Sequence, residues 1–347
     1  MSLASAVRLL SVAPFAVLLA CGTEREQMPF AVQTHSAMSF KESPWSAPVM
    51  LDAPVNSPTA NDQGPALSSD GRSLYFCSNR PGGSGGNDLW ASQRASRNGP
   101  WGTPVNLGPS VNSSGGDCGP SLSKNGRLLF FTSNRTGGAG GNDIYLTSRS
   151  DRTDDLSWGV PVRLGPDVNT TDFEFSPFIT RFRGDCDDDS CAGRYAELYF
   201  ERGSSNVLTD IFVVTIDAQG GALGPAVAVA ELNSPDAEGR PTVRFDGKEI
   251  IIHSNRDGRG GNFDLFVSTR PGRHHAWSTP VPVDELNSGP PIHEIHPYLS
   301  KDGREVLFVR GTGVANDIWM STRTPSGDFD DDDDDDRDRR REHHHRR

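Results

Sequence analysis

The chain has little that would build helices. After residue 20, no long stretch repeats its apolar residues every 3.6 positions, as an amphipathic helix does. Aromatic residues make up only 8% of the chain, whereas there are 37 glycines and 25 prolines among its 347 residues. Because this composition suits many short strands joined by tight turns, we expect an all-β protein.

Positive charge is also scarce. The formal net charge is −12, and contact with nucleic-acid phosphates needs a basic face. The composition therefore argues against a nucleic-acid partner and against electrostatic attachment to a membrane surface. Part of the negative charge lies in an unbroken run of aspartates at 330–336, within a low-complexity C-terminus. We expect residues 325–347 to form a disordered charged tail.

The N-terminus has the pattern of an export signal. A positively charged residue precedes an apolar run over residues 9–19, which is too short to span a bilayer as a helix. The run ends in Leu-Leu-Ala-Cys-Gly, which resembles the lipobox of bacterial lipoproteins. The resemblance implies a signal peptide over 1–20, lipidation of Cys21 and a tether over 21–43; an ordinary signal peptide is the alternative. Gly22 after the cysteine favours, by the same resemblance, the outer membrane of a bacterial cell envelope.

Apart from Cys21, the chain has only four cysteines. An even number in an exported chain indicates disulfides. Cys186 and Cys191 close a short acidic loop and are one expected pair, which leaves Cys77 and Cys118 as a longer-range pair. Zinc binding is the alternative, although no Cys-x-x-Cys spacing is present. The acidic loop also carries candidate calcium ligands: Asp185, Asp187, Asp188 and Asp189.

One segment recurs five times at intervals of roughly sixty residues. Its first copy begins at Gly64 and reads Gly-Pro-Ala-Leu-Ser-Ser-Asp-Gly. Each copy is followed by an apolar run, a loop, an aspartate and a second apolar run. The later copies begin at Gly119, Ser176, Arg240 and His296. A Trp-x-x-Pro-Val segment precedes four of the copies, at Trp45, Trp101, Trp158 and Trp277.

Each copy predicts one four-stranded blade. Asp-Gly between two apolar runs is a strong hairpin signal, so residues near 66–68 and 74–78 should pair. The run after Asp88 adds a third strand, and the Trp-x-x-Pro-Val segment adds an outer fourth strand, where proline is tolerated. Five blades around an axis bury faces that a single blade cannot. We therefore expect an all-β, five-bladed β-propeller of four-stranded antiparallel blades over residues 44–324.

The two ends of the repeat array predict how the ring closes. No Trp-x-x-Pro-Val segment follows the last copy, whereas the first such segment, Trp45 to Leu51, has no blade before it. We expect this N-terminal strand to complete the C-terminal blade. Such closure would remove the open sheet edges that invite aggregation.

The repeats resemble WD40-like propeller repeats of the TolB type. The resemblance rests on Pro-x-Leu-Ser-x-Asp-Gly, as at Pro65, and on Asn-Asp-Ile-Trp at 316–319, and it covers about residues 44 to 324. It implies the propeller fold and says little about function, because such propellers serve many roles. We expect no counterpart of the extra N-terminal domain of TolB, since only residues 22–43 precede the first strand.

Two polar positions recur in the loop before every copy. The acids are Asp62, Asp117, Glu174, Glu238 and Glu294, and the asparagines are Asn56, Asn112, Asn169, Asn233 and Asn287. In a propeller these loops surround one mouth of the channel, where like charges would raise each carboxyl pKa. The ring would suit a cation, calcium in particular, or a cationic ligand. The alternative is that each side chain caps the backbone of its own loop.

The loops between the second and third strands share that mouth. Three of them are glycine-rich and carry Arg80, Arg135 and Arg256, and the two shorter ones carry Arg202 and Arg310. We expect the first three arginines to pair with the aspartates that follow their loops, and the recognition of carboxylates or sugars is the alternative. Those aspartates are Asp88, Asp143 and Asp264.

The regularity of the repeat favours a non-catalytic role. We expect a monomeric, lipid-tethered propeller that has no cofactor, with calcium as a candidate ion, and that binds an envelope protein or a cell-wall glycan such as peptidoglycan. The alternative is a glycan-binding or glycan-cleaving propeller that uses the channel-mouth carboxylates. An enzyme needs one or two acids in a distinct setting, so an asymmetric acid would favour the alternative.

Overall fold

The computed structural model describes most of the repeat region: residues 43–180, 195–205, 207–256, 261–313 and 316–324. Within these residues all regular structure is β, and twenty strands form five four-stranded antiparallel sheets. The predicted all-β, five-bladed propeller is therefore confirmed. The described residues include no helical segment with the length and apolar character of a membrane span.

In the first four blades the strands run outward from the channel in chain order. Blade 1 contains β2 (Asp62–Leu67), β3 (Ser73–Ser78), β4 (Asp88–Gln93) and β5 (Val105–Asn106). Blade 2 contains β6 (Asp117–Leu122), β7 (Leu128–Ser133), β8 (Asp143–Ser148) and β9 (Val162–Arg163). Blade 3 contains β10 (Phe173–Ile179), β11 (Tyr195–Ser205), β12 (Leu208–Asp217) and β13 (Val227–Ala228). Blade 4 contains β14 (Glu238–Val243), β15 (Glu249–Ser254), β16 (Asp264–Thr269) and β17 (Val281–Pro282).

Blade 5 is assembled from both ends of the repeat array. It contains β18 (His293–Leu299), β19 (Glu305–Gly311), β20 (Asn316–Thr322) and β1 (Val49–Met50). Val49 lies opposite Met320, and the Leu51 N–H donates to the Ile318 carbonyl at 2.9 Å. The buried Trp45 ring packs under the Arg323 guanidinium, 4.2 Å from the ring centroid. The predicted closure by the N-terminal strand is thus confirmed.

Every inner strand carries a bulge at the repeat proline. Proline has no N–H to give to the strand ladder, and the pairing register shifts at that point in all five blades. The residue before the proline takes a positive φ each time: Gly64, Gly119, Ser176, Arg240 and His296. Glycine adopts this conformation freely, whereas the three larger residues do so at a cost in backbone strain.

The core lies between neighbouring blades. Large side chains of the second strands, such as Tyr75, Phe130 and Phe200, are fully buried there. Successive apolar clusters join blades 1, 2 and 5, then 2 and 3, then 3 and 4, then 4 and 5. Each blade therefore depends on its neighbours for burial of its faces, as expected for a ring of incomplete units.

Several sequence predictions fall outside the described residues. These are the signal peptide 1–20, the tether 21–43 except its last residue, Cys21, the Cys186–Cys191 pair with its acidic loop, and the whole of the 325–347 tail. Each of them stays a prediction.

Candidate functional site

The five acids of the ring are scaffold groups in this structure. All five are fully buried. Each is paired with the arginine of its own blade, so their charges are compensated locally. The pairs are Arg80–Asp62 at 2.6 Å, Arg135–Asp117 at 2.7 Å, Arg202–Glu174 at 3.0 Å, Arg256–Glu238 at 2.9 Å and Arg310–Glu294 at 2.7 Å.

The expected pairing of Arg80, Arg135 and Arg256 with the aspartates after their loops is therefore wrong. The guanidinium of Arg80 folds over the rings of Phe76 and Trp90, 5.0 and 5.4 Å from their centroids, to reach the inner strand. Asp88 instead accepts an N–H from Gly85 at 3.1 Å and thereby pins its own loop. Asp143 accepts the Ala139 N–H in the same way, and the arginine near it is Arg163 of the outer strand. For Asp264, the arginine of its loop pairs with Glu238 instead.

The ring acids also fix their own loops. Asp62 accepts the N–H of Ser57 at 2.6 Å, and equivalent bonds to the backbone occur at Asp117, Glu174 and Glu238. Burial raises the pKa of Glu174 and Glu238, so desolvation rather than like-charge repulsion is the main cause there. These contacts follow the capping alternative, and none of the five acids lines the cavity described below.

The five asparagines bind the third strand of the preceding blade. The Asn112 amide accepts the Leu89 N–H at 2.8 Å and donates to the Leu89 carbonyl at 3.0 Å. Asn56, Asn169, Asn233 and Asn287 make the same pair of bonds to the third strand of the preceding blade. They join consecutive blades and do not face the channel cavity.

A cavity of ≈ 600 Å³ lies at the centre of the ring, where all five inner strands meet. Gln63, Cys118, Phe175, Arg240 and Ile295 each contribute from a different blade. Residues of the loops between second and third strands complete its rim: Asn87, Asn134, Asn142, Phe263 and Gly313. The cavity is therefore the mouth of the channel on the loop face.

Glu201 is the carboxylate of this cavity. It occupies the second strand of blade 3, where the equivalent residues are Cys77, Thr132, His253 and Val309. Its Oε1 accepts the Arg240 N–H at 2.8 Å, and it is 7% exposed. Burial raises the pKa of Glu201, and hydrogen bonds from Ser176 and the Arg240 backbone only partly oppose this.

Gly239 brings Glu201 and His253 together. A Cβ atom on Gly239 would stand 2.5 Å from His253 Nε2 and 2.7 Å from Glu201 Cδ, so both groups occupy the space that a side chain would fill. Burial lowers the pKa of His253 to about 3, with the Arg240 charge as a second cause. The imidazole is therefore neutral at pH 7, and its Nδ1 accepts the His296 N–H at 3.4 Å.

Aromatic rings border the acid. His253 contacts Phe263 edge-on at 5.2 Å between centroids, and His296 at 5.7 Å. Phe173 and Phe175 stack at 5.9 Å on the blade 3 side. The cavity thus offers apolar faces around a buried acid, which suits a ligand with both hydroxyl groups and C–H faces.

The predicted Cys77–Cys118 disulfide is formed, and it lies beside the cavity. It joins β3 of blade 1 to β6 of blade 2, with Cα atoms 5.0 Å apart. Both sulfurs stand 3.5 Å from the point where a Cβ on Gly64 would lie. The bond therefore fixes two blades to each other at the channel wall.

Sequence reasoning missed Glu201, His253 and Arg240. The signal that could have found them is a break in the repeat: each lies at a position where the other copies carry different residue types. The acids and asparagines that recur in all five blades hold the scaffold together, whereas Glu201, His253 and Arg240, at positions that differ between blades, line the cavity. No cluster of three or more metal-binding side chains occurs in the part of the chain that the structure describes.

Neither a protein-family model nor a curated protein sequence matches this chain. Solved structures share its fold at low identity. An α-L-arabinofuranosidase from Lactobacillus brevis matches at a TM-score of 0.53 and 13% identity, over 80% of this chain and 94% of that one. The GH43 protein BlXynB from Bacillus licheniformis matches at 0.51 and 14%, over 82% of this chain and 55% of that one. A xylan β-1,4-xylosidase from Bacillus halodurans matches at a TM-score of 0.52 and 14% identity, over 78% of this chain and 54% of that one.

These comparisons correct three expectations. The propellers that resemble this chain are those of glycosidases, so the assignment to TolB-type WD40-like repeats is wrong. The expectations of a non-catalytic scaffold and of a protein that is not an enzyme are overturned by the same finding. At these identities the likeness establishes the fold alone.

Proposed function

We propose that this protein is a glycan-cleaving enzyme whose active site is the cavity at the channel mouth, with Glu201 as its acid. One observation carries the proposal: Glu201 is a carboxylate that has no acidic equivalent in the other four blades, and it lies in the cavity, apart from the five paired acids. An acid in such a setting is the feature that separates an enzyme from a regular scaffold. The fold shared with glycosidases supports it.

The environment of Glu201 suits proton donation. A general acid in glycoside cleavage must hold its proton near the working pH and deliver it to the leaving oxygen. Burial raises the Glu201 pKa, which favours the protonated form that a general acid needs. The Arg240 N–H holds one carboxyl oxygen, so the carboxyl group has a fixed orientation toward the cavity. A sugar would pack its C–H face on the neighbouring aromatic rings.

The described residues that line the cavity supply no second carboxyl group. Most glycosidases use two carboxyl groups, one as acid and one as base or nucleophile. Among the described residues that line the cavity, Glu201 is the only acid. We therefore assign to Glu201 the transfer of its proton to the leaving glycosidic oxygen, while a water molecule forms the new bond to the anomeric carbon and releases its own proton to solvent. Because no second carboxyl group of the described lining assists that water, we expect turnover slower than that of an enzyme with two carboxyl groups.

The proposed place of action is the bacterial cell envelope. The lipobox-like run before Cys21 supports a lipid anchor, which would hold the propeller at the outer membrane. Such a tether would put the cavity within reach of cell-wall or extracellular glycans. Globomycin-sensitive labelling of the protein with a palmitate analogue, lost in Cys21→Ala, would test the anchor.

Hydrolysis tests the proposal. The purified protein would be incubated with 4-nitrophenyl glycosides and with a panel of neutral and acidic polysaccharides, and released reducing ends would be measured. Glu201→Gln should lower kcat by about 10²-fold or more, because it removes the transferable proton. Its amide oxygen can still accept the Arg240 N–H, so the melting temperature should change little.

Glu197→Gln is the matched control. Glu197 lies four residues earlier in β11 and is not part of the cavity lining. This variant should keep the wild-type rate. Equal activity in wild type and Glu201→Gln, or no cleavage of any glycan by the wild type, would contradict the proposal.

A further inference from the structure

The Arg240 side chain is a buried cation with no described carboxylate at ion-pair distance. It is 4% exposed and lines the cavity. Its one side-chain hydrogen bond goes from Nη2 to the Pro65 carbonyl at 3.2 Å. No carboxylate among the described residues forms an ion pair with it. A buried charge without an ion-pair partner is unfavourable. Burial lowers the Arg240 pKa to about 10, and the more distant charge of Glu201 only partly opposes this.

Other buried arginines of this chain are paired. Arg149 contacts Asp155 at 2.8 Å and Arg244 contacts Glu249 at 3.0 Å. The five blade arginines are each bound to a ring acid, as described above. Arg240 departs from this pattern, and it does so in the channel-mouth cavity.

The Arg240 backbone is also strained, as are the backbones of Ser176 and His296 at the equivalent position. Its φ of 46° is left-handed, and glycine fills the equivalent position in blades 1 and 2. The fold therefore accepts glycine at this position, yet blade 4 carries a long cationic side chain there. Strain of this kind at a cavity commonly accompanies function.

The guanidinium reaches across the channel from blade 4. Nη1 lies 3.5 Å and 3.0 Å from the points where Cβ atoms on Gly64 and Gly119 would stand, so it approaches the inner strands of blades 1 and 2. Those glycines leave the room that the guanidinium uses. Nη1 donates to no protein acceptor among the described residues, which leaves a donor for a ligand.

From these observations we infer that the cavity binds a glycan with a carboxylate on its sugar ring, a uronic-acid residue, and that Arg240 holds this carboxylate. The inference rests on the proposed function, because it names the substrate class of the same cavity. A planar guanidinium suits a carboxylate, to which it can donate two parallel hydrogen bonds. Arg240 also gives its N–H to Glu201, so the anion-binding group and the proposed acid adjoin one another.

The test compares acidic glycans with their methyl esters. Binding of glucuronate- and galacturonate-containing oligosaccharides, and of the same compounds after methyl esterification, would be measured by calorimetry at pH 7. Sulfated disaccharides form a third arm that separates carboxylate recognition from general anion binding. We expect at least one acidic oligosaccharide to bind tenfold or more tightly than its ester, and the sulfated sugars to bind no better than that ester.

Arg240→Gly should abolish this preference without unfolding the ring, because glycine occupies the equivalent position twice already. Arg240→Lys keeps the charge without the planar fork and should retain only part of the preference. Arg72→Gln, a charge-matched change of an exposed arginine outside the cavity, should retain all of it.

The outcomes separate the two proposals. Equal binding of acids and esters, stronger binding of sulfated sugars, or a preference that survives in Arg240→Gly would overturn the uronate inference and leave the glycan-cleaving proposal standing. If the wild type neither binds nor cleaves any of these glycans or the neutral panel, both proposals fail.

Discussion

Removing the Trp45 side chain should destabilise the whole ring, because it anchors the strand that closes blade 5. Trp45 is 9% exposed and stacks on Arg323 at 4.2 Å. Replacing a buried tryptophan with alanine costs about 3–5 kcal/mol, and the lost cation–π contact accounts for part of that. Since domains are stable by only about 5–15 kcal/mol, Trp45→Ala should shift the guanidinium unfolding midpoint strongly.

Val49→Ala is the matched control in the same segment. Val49 is 63% exposed, and its backbone pairing with Met320 does not depend on its side chain. This change should alter the free energy of unfolding by about 0.5 kcal/mol or less. If Trp45→Ala cost no more than Val49→Ala, the N-terminal strand would not be closing the ring, and the account of blade 5 would be refuted.

Three further predictions concern the channel wall and the acid ring. Reducing the Cys77–Cys118 disulfide, whose residues are 41 apart in sequence, should cost about 4 kcal/mol of stability by chain entropy; unchanged urea midpoints with and without reductant would contradict this. His253 has a folded pKa of about 3, below its value of 6.5 when unfolded. Its contribution to the free energy of unfolding is therefore present above pH 6.5 and is lost as the pH falls toward 3. Between pH 7 and pH 4 the loss of stability is about 3 kcal/mol, at about 1.4 kcal/mol per pKa unit, and His253→Gln should reduce this loss. If the unfolding free energies of the wild type and His253→Gln changed in parallel with pH, that would count against a buried neutral imidazole. Millimolar calcium should leave the melting temperature unchanged, because each ring acid is already paired with an arginine, and a clear rise on titration would show that the ring binds the ion.

The architecture was predictable because its signals are local and repeated. The Asp-Gly turn at Gly71, with apolar runs on both sides, specifies a hairpin, and the edge proline of each Trp-x-x-Pro-Val segment specifies an outer strand. The unpartnered segment at Trp45 indicated how the ring closes. Five copies of the same pattern left few alternative folds.

The side-chain pairing was less predictable because it depends on register. Arg80 and Asp88 are close in sequence, which suggested a pair, yet the guanidinium turns inward to Asp62 across the strand pair. Asp88 is engaged by N–H groups of its own loop. A short separation in sequence did not indicate which carboxylate lies within reach.

The candidate site was not predictable from any one repeat. Glu201 and Arg240 come from different blades, and they meet only because the inner parts of blades 3 and 4 adjoin at the channel. The five regular acids drew attention as candidates, although their regularity reflects a shared structural task. Departures from the repeat, such as Glu201 among Cys77, Thr132 and Val309, are the informative positions.

A crystal structure of Glu201→Gln with a bound oligosaccharide would show whether the channel-mouth cavity is the active site. The inactive variant should retain the ligand, which should lie in the channel-mouth cavity with a glycosidic oxygen within hydrogen-bond reach of residue 201. A ligand bound only on the opposite face of the propeller, or on the outer surface of the blades, would contradict the account.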